Sequence, residues 1–165
     1  MFPLALVTEI NEASRLLAAK AYLEEIRKYR EMEEKYNSAV EFYKRKAYSI
    51  GGYKYNETKV QTSIGEKGAA YEHYLMKLEE LKKTYYKNFF LWKCKALNPL
   101  ISIGKINNLD YQYLLWMRFS SYKSWEEIQD GLQCENVHEV RNQALLALSY
   151  VMEQEGKLQI YANKL

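Results

Sequence analysis

YLEEIRKYREMEEKYNSAVEFYKRKA, residues 22–47, decides the fold. Tyr22, Tyr29, Tyr36 and Tyr43 recur every seven residues, and Ile26, Val40 and Ala47 follow three of them by four. Glu33 holds the corresponding place after Tyr29. A seven-residue apolar repeat marks a coiled-coil-like seam. The remaining positions are dense in Glu, Lys and Arg, as solvated helix faces are. No proline or glycine falls between Glu9 and Ala47, and Thr8 has the side chain to cap the start. The spacing therefore predicts one long helix over 9–47.

A second amphipathic stretch lies downstream. From Glu66 to Ala96, Tyr71, Tyr74, Leu78, Leu81, Tyr85, Phe89, Trp92 and Ala96 are spaced by threes and fours. Asn98 and Pro99 are expected to end this helix, because proline disfavours helical backbone in the residue before it. Each helix has about 30 to 38 residues and a length of roughly 45–57 Å at 1.5 Å per residue. The simplest arrangement is an antiparallel hairpin within one chain; a second copy can complete the same seam and give a homodimer. The connection near 48–65 holds the turn residues Gly51, Gly52 and Asn56.

Beyond Pro99 the character changes. Leu100, Ile101 and Ile103 form a short apolar run that Gly104 breaks. Asn108 or Asp110 can cap a helix from Tyr111 to Phe119. Ser124 with Glu127 three residues on is a capping box for a short helix through Leu132. A turn near Gln133 to Asn136 precedes a last helix over 137–155. Ile128 and Leu132 on one side, and Val137, Val140, Ala144 and Leu148 on the other, supply matching apolar faces, which Leu114, Leu115 and Met117 close. Three short helices with a tight turn between the last two describe a helix-turn-helix. The expected fold is all-α: a long antiparallel, coiled-coil-like hairpin over 1–99, then a small helix-turn-helix domain over 100–165.

Composition narrows the function. With 48% hydrophobic and 27% charged residues the chain is an ordinary globular sequence, so disorder over most of its length is not expected. The 16 tyrosines suit half-buried seams, each giving an apolar ring with a polar tip. Residues 1–99 carry 18 Lys and Arg against 13 Asp and Glu, and residues 100–165 carry 6 against 8, so the basic half is the hairpin. Cys94 and Cys134 make neither a disulfide framework nor a zinc pair. His73 and His138 have no metal-ligand spacing. No Gly-rich phosphate loop, nucleophile elbow or carboxylate pair stands out. Glu126-Glu127 reads as charge favoured by the helix dipole. Neither an enzyme nor a cofactor site is expected. No run approaches the ~20 apolar residues of a membrane span, and Met1–Val7 lacks the features of a secretory signal; the expected compartment is the cytoplasm.

The C-terminal motifs, Leu114-Leu115-Trp116-Met117-Arg118-Phe119, then Ser124-Trp125-Glu126-Glu127-Ile128, then Val137 with Ala144-Leu145, follow one another in order. Lys20-Ala21-Tyr22-Leu23 opens the first long helix, and Val60-Gln61-Thr62-Ser63 precedes the second. Over residues 18 to 150 this pattern resembles a family of small phage and prophage proteins of Gram-positive bacteria. In that family the C-terminus looks like region 4 of sigma factors, and the family sits beside the phage late-transcription regulators. Three positions depart from the pattern: Gln129 where alanine is usual, Gln133 where glycine is common, and Val137 only five residues after Leu132.

The resemblance implies a transcription regulator in the bacterial host cell, binding promoter DNA, RNA polymerase or both. On that reading Arg141, Asn142, His138 and Gln143 face base edges, and Lys123 and Arg118 face phosphates. Lys44-Arg45-Lys46 and Lys82-Lys83 on the hairpin add backbone contacts. The acidic C-terminal half and the tyrosine seam support an alternative: a helical module that keeps the helix-turn-helix fold and binds another protein.

Overall fold

The computed structural model describes residues 10–51 and 64–165. Every element among the described residues is a helix: α1 (Glu12–Gly51), α2 (Ile64–Gly104), α3 (Leu109–Phe119), α4 (Trp125–Leu132), α5 (Val137–Gln154) and α6 (Leu158–Ala162). None of them is long and apolar enough to cross a membrane. Thr8 and most of the 48–65 connection, including Gly52, Asn56 and Val60-Gln61-Thr62-Ser63, lie outside the described residues. Helix α1 begins three residues later than expected, where Asn11 Oδ1 accepts the Ser14 backbone N–H at 2.8 Å.

The chain folds into two compact units. One is Tyr29–Cys94; the other joins the described residues up to Lys28 with Lys95–Leu165. In the Tyr29–Cys94 unit the two long helices run antiparallel. Glu33 pairs with Lys93 at 3.3 Å, the Tyr36 and Trp92 rings lie 5.0 Å apart, and Tyr43 meets Tyr74 at 6.3 Å. The heptad tyrosines 29, 36 and 43 are half-buried there, as a seam of amphipathic rings should be, while Ala47, Leu78 and Trp92 are buried.

The second unit corrects the expected boundary at residue 99. Ala18, Ala19, Tyr22, Leu23 and Ile26 belong to the same buried cluster as Ile103, Leu114, Leu115, Ile128, Val137, Ala144, Leu148 and Met152. The first turns of α1 are thus part of the helix-turn-helix core. The helix end at Pro99 is corrected as well. Helix α2 continues through Pro99 to Gly104, so Leu100, Ile101 and Ile103 are its last turn. A proline within a helix costs about 3 kcal/mol through the lost hydrogen bond and the ring clash. Here Pro99, Ser102 and Ile103 are all fully buried. Each large apolar side chain removed from water returns about 1.5–3 kcal/mol, which offsets the proline.

Local signals fix the three short helices. Asn108 caps α3 through Asp110 N and Tyr111 N, at 2.9 and 3.2 Å. The capping box of α4 is complete: Glu127 N–H donates to Ser124 Oγ (3.2 Å), and Ser124 N–H donates to Glu127 Oε2 (2.9 Å). The Ser124 backbone bond, with Lys123 nearby, holds the Glu127 carboxyl below its usual range. Ser124→Ala is expected to cost about 1 kcal/mol, read as a lower urea midpoint at unchanged slope. An unchanged midpoint would mean the box does not hold the helix start.

Two glutamines around the α4–α5 turn have physical roles. Gln133 adopts left-handed backbone (φ 52°) at the end of α4, the conformation glycine usually supplies. Gln129 Nε2 donates to Glu135 O at 3.2 Å, tying α4 to the turn. Gly131 lets the Tyr113 hydroxyl approach closely, and a Cβ there would make that ring shift.

A polar knot closes this unit. Gly156 (φ 73°) ends α5 in a Schellman turn, with Lys157 N–H donating to Met152 O (2.8 Å) and Gly156 N–H to Glu153 O (3.0 Å). The turn aims Glu155 and Lys157 inward. Lys157 Nζ pairs with Glu155 Oε2 at 2.6 Å and donates to Tyr22 OH at 3.0 Å. Tyr22 OH lies 2.8 Å from Ser102 Oγ, and Ser102 Oγ lies 3.0 Å from both Glu155 oxygens. Lys105 Nζ reaches Glu155 Oε1 at 3.2 Å. Burial works to raise the Glu155 pKa; hydrogen bonds from Lys157, Lys105 and Ser102 outweigh it and hold the carboxyl below its ordinary value. Burial works to lower that of Lys157, and its bonds to Glu155 and Tyr22 raise it instead. Helix α6, which the sequence pattern did not suggest, follows this turn and buries Leu158.

Candidate nucleic-acid interface

The helix-turn-helix proper is α4, the turn over residues 133–136, and α5. Asn136 starts α5, its Oδ1 accepting from His138 N and Glu139 N at 3.1 and 3.4 Å. Val137, Ala144, Leu145, Leu148 and Met152 face the core. Glu139, Asn142, Gln143, Tyr150 and Glu153 are exposed, which puts two carboxylates and no cation on the outer face.

Trp125, the first residue of α4, organises the cations. The Arg118 guanidinium lies 4.8 Å from its ring centroid and that of Arg141 lies 5.6 Å away, while the His138 ring sits 5.7 Å off, tilted by 56°. Arginine over an indole gains a cation–π attraction of about 0.5–2 kcal/mol and loses rotamer freedom before any ligand arrives. Arg118 Nη1 also donates to Lys123 O at 3.0 Å, bracing the loop between α3 and α4. That loop holds Tyr122 in left-handed backbone, φ 55°. Arg141 Nε and Nη2 both donate to Asn142 Oδ1 at 3.2 Å, which leaves Nη1 and the Asn142 amide N–H groups as donors.

Next to the indole is a cleft of about 330 Å³ lined by Arg118, Trp125, Arg141, Asn142 and Leu145, and, from α1, by Leu16, Leu17, Lys20 and Glu24. Three cations and one carboxylate surround it, so an anionic oxygen is the ligand its chemistry suits. Arg15, at the end of the first turn of α1, pairs with Glu153 at 2.6 Å and lies over the Tyr150 ring at 4.7 Å. Helix α1 therefore lies along one side of α5.

Of the six residues expected to contact DNA, Arg118, Arg141 and Asn142 come together at the cleft, and His138 packs on the indole beside it. Arg141 is half-buried, because its position on α5 points toward Trp125. Gln143 lies elsewhere, its Oε1 accepting from Tyr111 OH at 3.0 Å. Lys123 stays on the loop, with its ammonium 3.5 Å from Glu127 Oε1. Sequence reasoning missed Lys20, and it named Trp125 only as part of the Ser124–Ile128 motif. The Lys20-Ala21-Tyr22-Leu23 motif gave a helix start but no sign that this helix docks beside α5.

Both cysteines are half-buried thiols. Among the described residues no three or more His, Cys, Asp and Glu side chains gather as a metal would require. No protein-family model, curated protein or solved structure matches this chain.

Proposed function

We propose that the chain is a transcription regulator of the phage or prophage type, acting in the bacterial cytoplasm, whose α4–α5 module docks on promoter duplex DNA. RNA polymerase is a second surface such a module can contact. The observation that carries the reading is the gathering of Arg118, Arg141 and Lys20 around Trp125, beside the exposed His138 and Asn142 at the start of α5. Cations fixed on an indole suit phosphate oxygens. Asn and His at the start of a second helix suit base edges. Arg118 holds the phosphate backbone in this reading, and Arg141, through its free Nη1, acts with Asn142 at the base edge.

Fluorescence anisotropy with a selected pool of duplex DNA, at about 50 mM and about 200 mM salt, tests it. Binding should weaken with salt, with a slope that counts phosphates. Arg118→Ala should weaken all sequences alike and reduce the slope by about 1. Arg141→Ala should cost about 1–3 kcal/mol, roughly 5- to 150-fold in Kd, and relax sequence preference. Binding unchanged by both substitutions would refute this site.

The acidic outer face of α5 favours a second reading, a helix-turn-helix fold used to bind protein. Glu139 is exposed near the start of α5 and Tyr150 near its end, with Glu153 held by Arg15, a surface better matched to a protein than to phosphate. No DNA binding at the lower salt would select this reading.

A further inference from the structure

Helix α2 is apolar on two opposite sides. Its inner side, with Tyr74, Leu78 and Trp92, is covered by α1 within the Tyr29–Cys94 unit. Its outer side carries Tyr86 and Phe90 one turn apart, 69% and 77% exposed, with Met76 aligned on the same face. The Tyr86 ring meets that of Tyr85 edge-on, at 5.6 Å between rings. Residues 81–95 hold five lysines and no acidic residue. Lys93 is taken by Glu33, but Lys82, Lys83 and Lys87 are exposed and have no ion-pair partner among the described residues. The carboxylates nearest in sequence, Glu79 and Glu80, mark one end of the stripe, and Glu80 is engaged by Lys77 at 3.5 Å.

We infer that this face is a docking surface for an acidic amphipathic helix of another protein. The charge pattern chooses the occupant. A second copy of the same stripe would set lysines against lysines. Duplex DNA would satisfy the ammonium groups and leave Phe90 and Tyr86 in water. A membrane would need a wider apolar face than two rings and a methionine. A helix with leucines along one side and glutamates along its flanks covers the rings and pairs the lysines together, extending the hairpin by a third helix. From Lys82 to Phe90 the lysine-flanked patch is about 12 Å long at 1.5 Å per residue, enough for two turns of partner. The inference does not depend on the helix-turn-helix binding DNA.

The test is anisotropy of a fluorescein-labelled synthetic helix, with Leu at i, i+3, i+4 and i+7 and Glu at flanking positions, titrated with the full chain. Phe90→Ala is expected to weaken binding at least tenfold. Lys82→Glu, Lys83→Glu and Lys87→Glu together should do the same, and the wild-type affinity should fall between about 50 and about 200 mM salt. All these side chains are exposed, so circular dichroism and melting of the variants should match the parent. A peptide with Lys in place of Glu should not bind. Equal binding by wild type and the triple variant would overturn the proposal. So would Phe90-dependent binding of phosphatidylglycerol vesicles or of duplex DNA without peptide binding. A dimer seen by sedimentation and dissociated by Phe90→Asp would assign the face to self-association instead.

Discussion

A fragment of residues 100–165, the expected extent of the helix-turn-helix domain, should fail to fold cooperatively. Five of the sixteen residues in the buried cluster, Ala18, Ala19, Tyr22, Leu23 and Ile26, come from α1. Without α1 the remaining eleven residues of the cluster lose part of their core. The transfer of Tyr22, Leu23 and Ile26 alone represents about 4.5–9 kcal/mol at roughly 1.5–3 kcal/mol per large side chain. A domain's entire stability is about 5–15 kcal/mol. The fragment also loses Tyr22 OH from the polar knot and leaves Arg15's partner Glu153 unpaired. Near-UV circular dichroism and a thermal melt read the result: helical content without a cooperative transition, and recovery of the transition when a peptide of residues 10–30 is added. A fragment that melts cooperatively within a few degrees of the full chain would show that α1 is dispensable to this core.

The same residues show how far the sequence could be read. Tyr22, Tyr29, Tyr36 and Tyr43 are indistinguishable by spacing, and all four were rightly placed on one long helix. Yet Tyr22 is buried among the short helices while the other three line the hairpin. A heptad repeat reports which face of a helix is apolar, not what covers it, and the cover changes between Tyr22 and Tyr29. Asn108, Ser124 and Glu127 were legible as caps because a cap is settled by atoms within three residues. Pro99 misled for the opposite reason: its local preference to stop a helix was overridden by burial of Ser102 and Ile103, a tertiary effect. The α5–α6 turn was missed although Gly156 stood where a Schellman turn wants glycine.

The candidate interface was legible only as a list of residue types. Trp125, Arg118 and Arg141 were each in view, but their meeting depends on the packing of three helices. Two cations 7 and 16 positions from a tryptophan carry no spacing signal. Lys20 is more than a hundred residues from Arg141, so only the docking of α1 brings it to the cleft. Gln143 shows the converse. It belongs by type with Asn142, yet one further step around α5 turns it to Tyr111.

Glu155→Ala should lower stability at neutral pH by about 2–3 kcal/mol. Breaking a buried ion pair costs about 3–5 kcal/mol. The figure here is reduced because Lys157 and Lys105 keep 30% and 56% of their side-chain surface in water. The substitution strands the Lys157 ammonium against Tyr22 OH and removes one of two acceptors near the fully buried Ser102 Oγ, leaving Asn98 O. At about 2–4 °C per kcal/mol for a chain of this length, Tm should fall by roughly 5–10 °C. The pH dependence distinguishes the charge from mere packing. The Glu155 pKa is depressed in the folded state. Its contribution is therefore complete above the ordinary carboxylate pKa of about 4.3. It is lost as pH falls below that value through the folded-state pKa. The Lys157 pKa is raised, so its contribution holds below about 10.4 and is lost above it. The gap between wild type and Glu155→Ala should be widest between these limits and should close in acid, as protonated Glu155 no longer holds two lysines. Glu155→Gln, which keeps the shape and one acceptor oxygen, should recover part of the loss at pH 7 and have a flatter acid limb than wild type. A gap that stays constant from pH 7 to pH 3 would mean that Glu155 acts by filling space, and that the three elements it joins, α1, the end of α2 and the α5–α6 turn, are held by their apolar contacts alone.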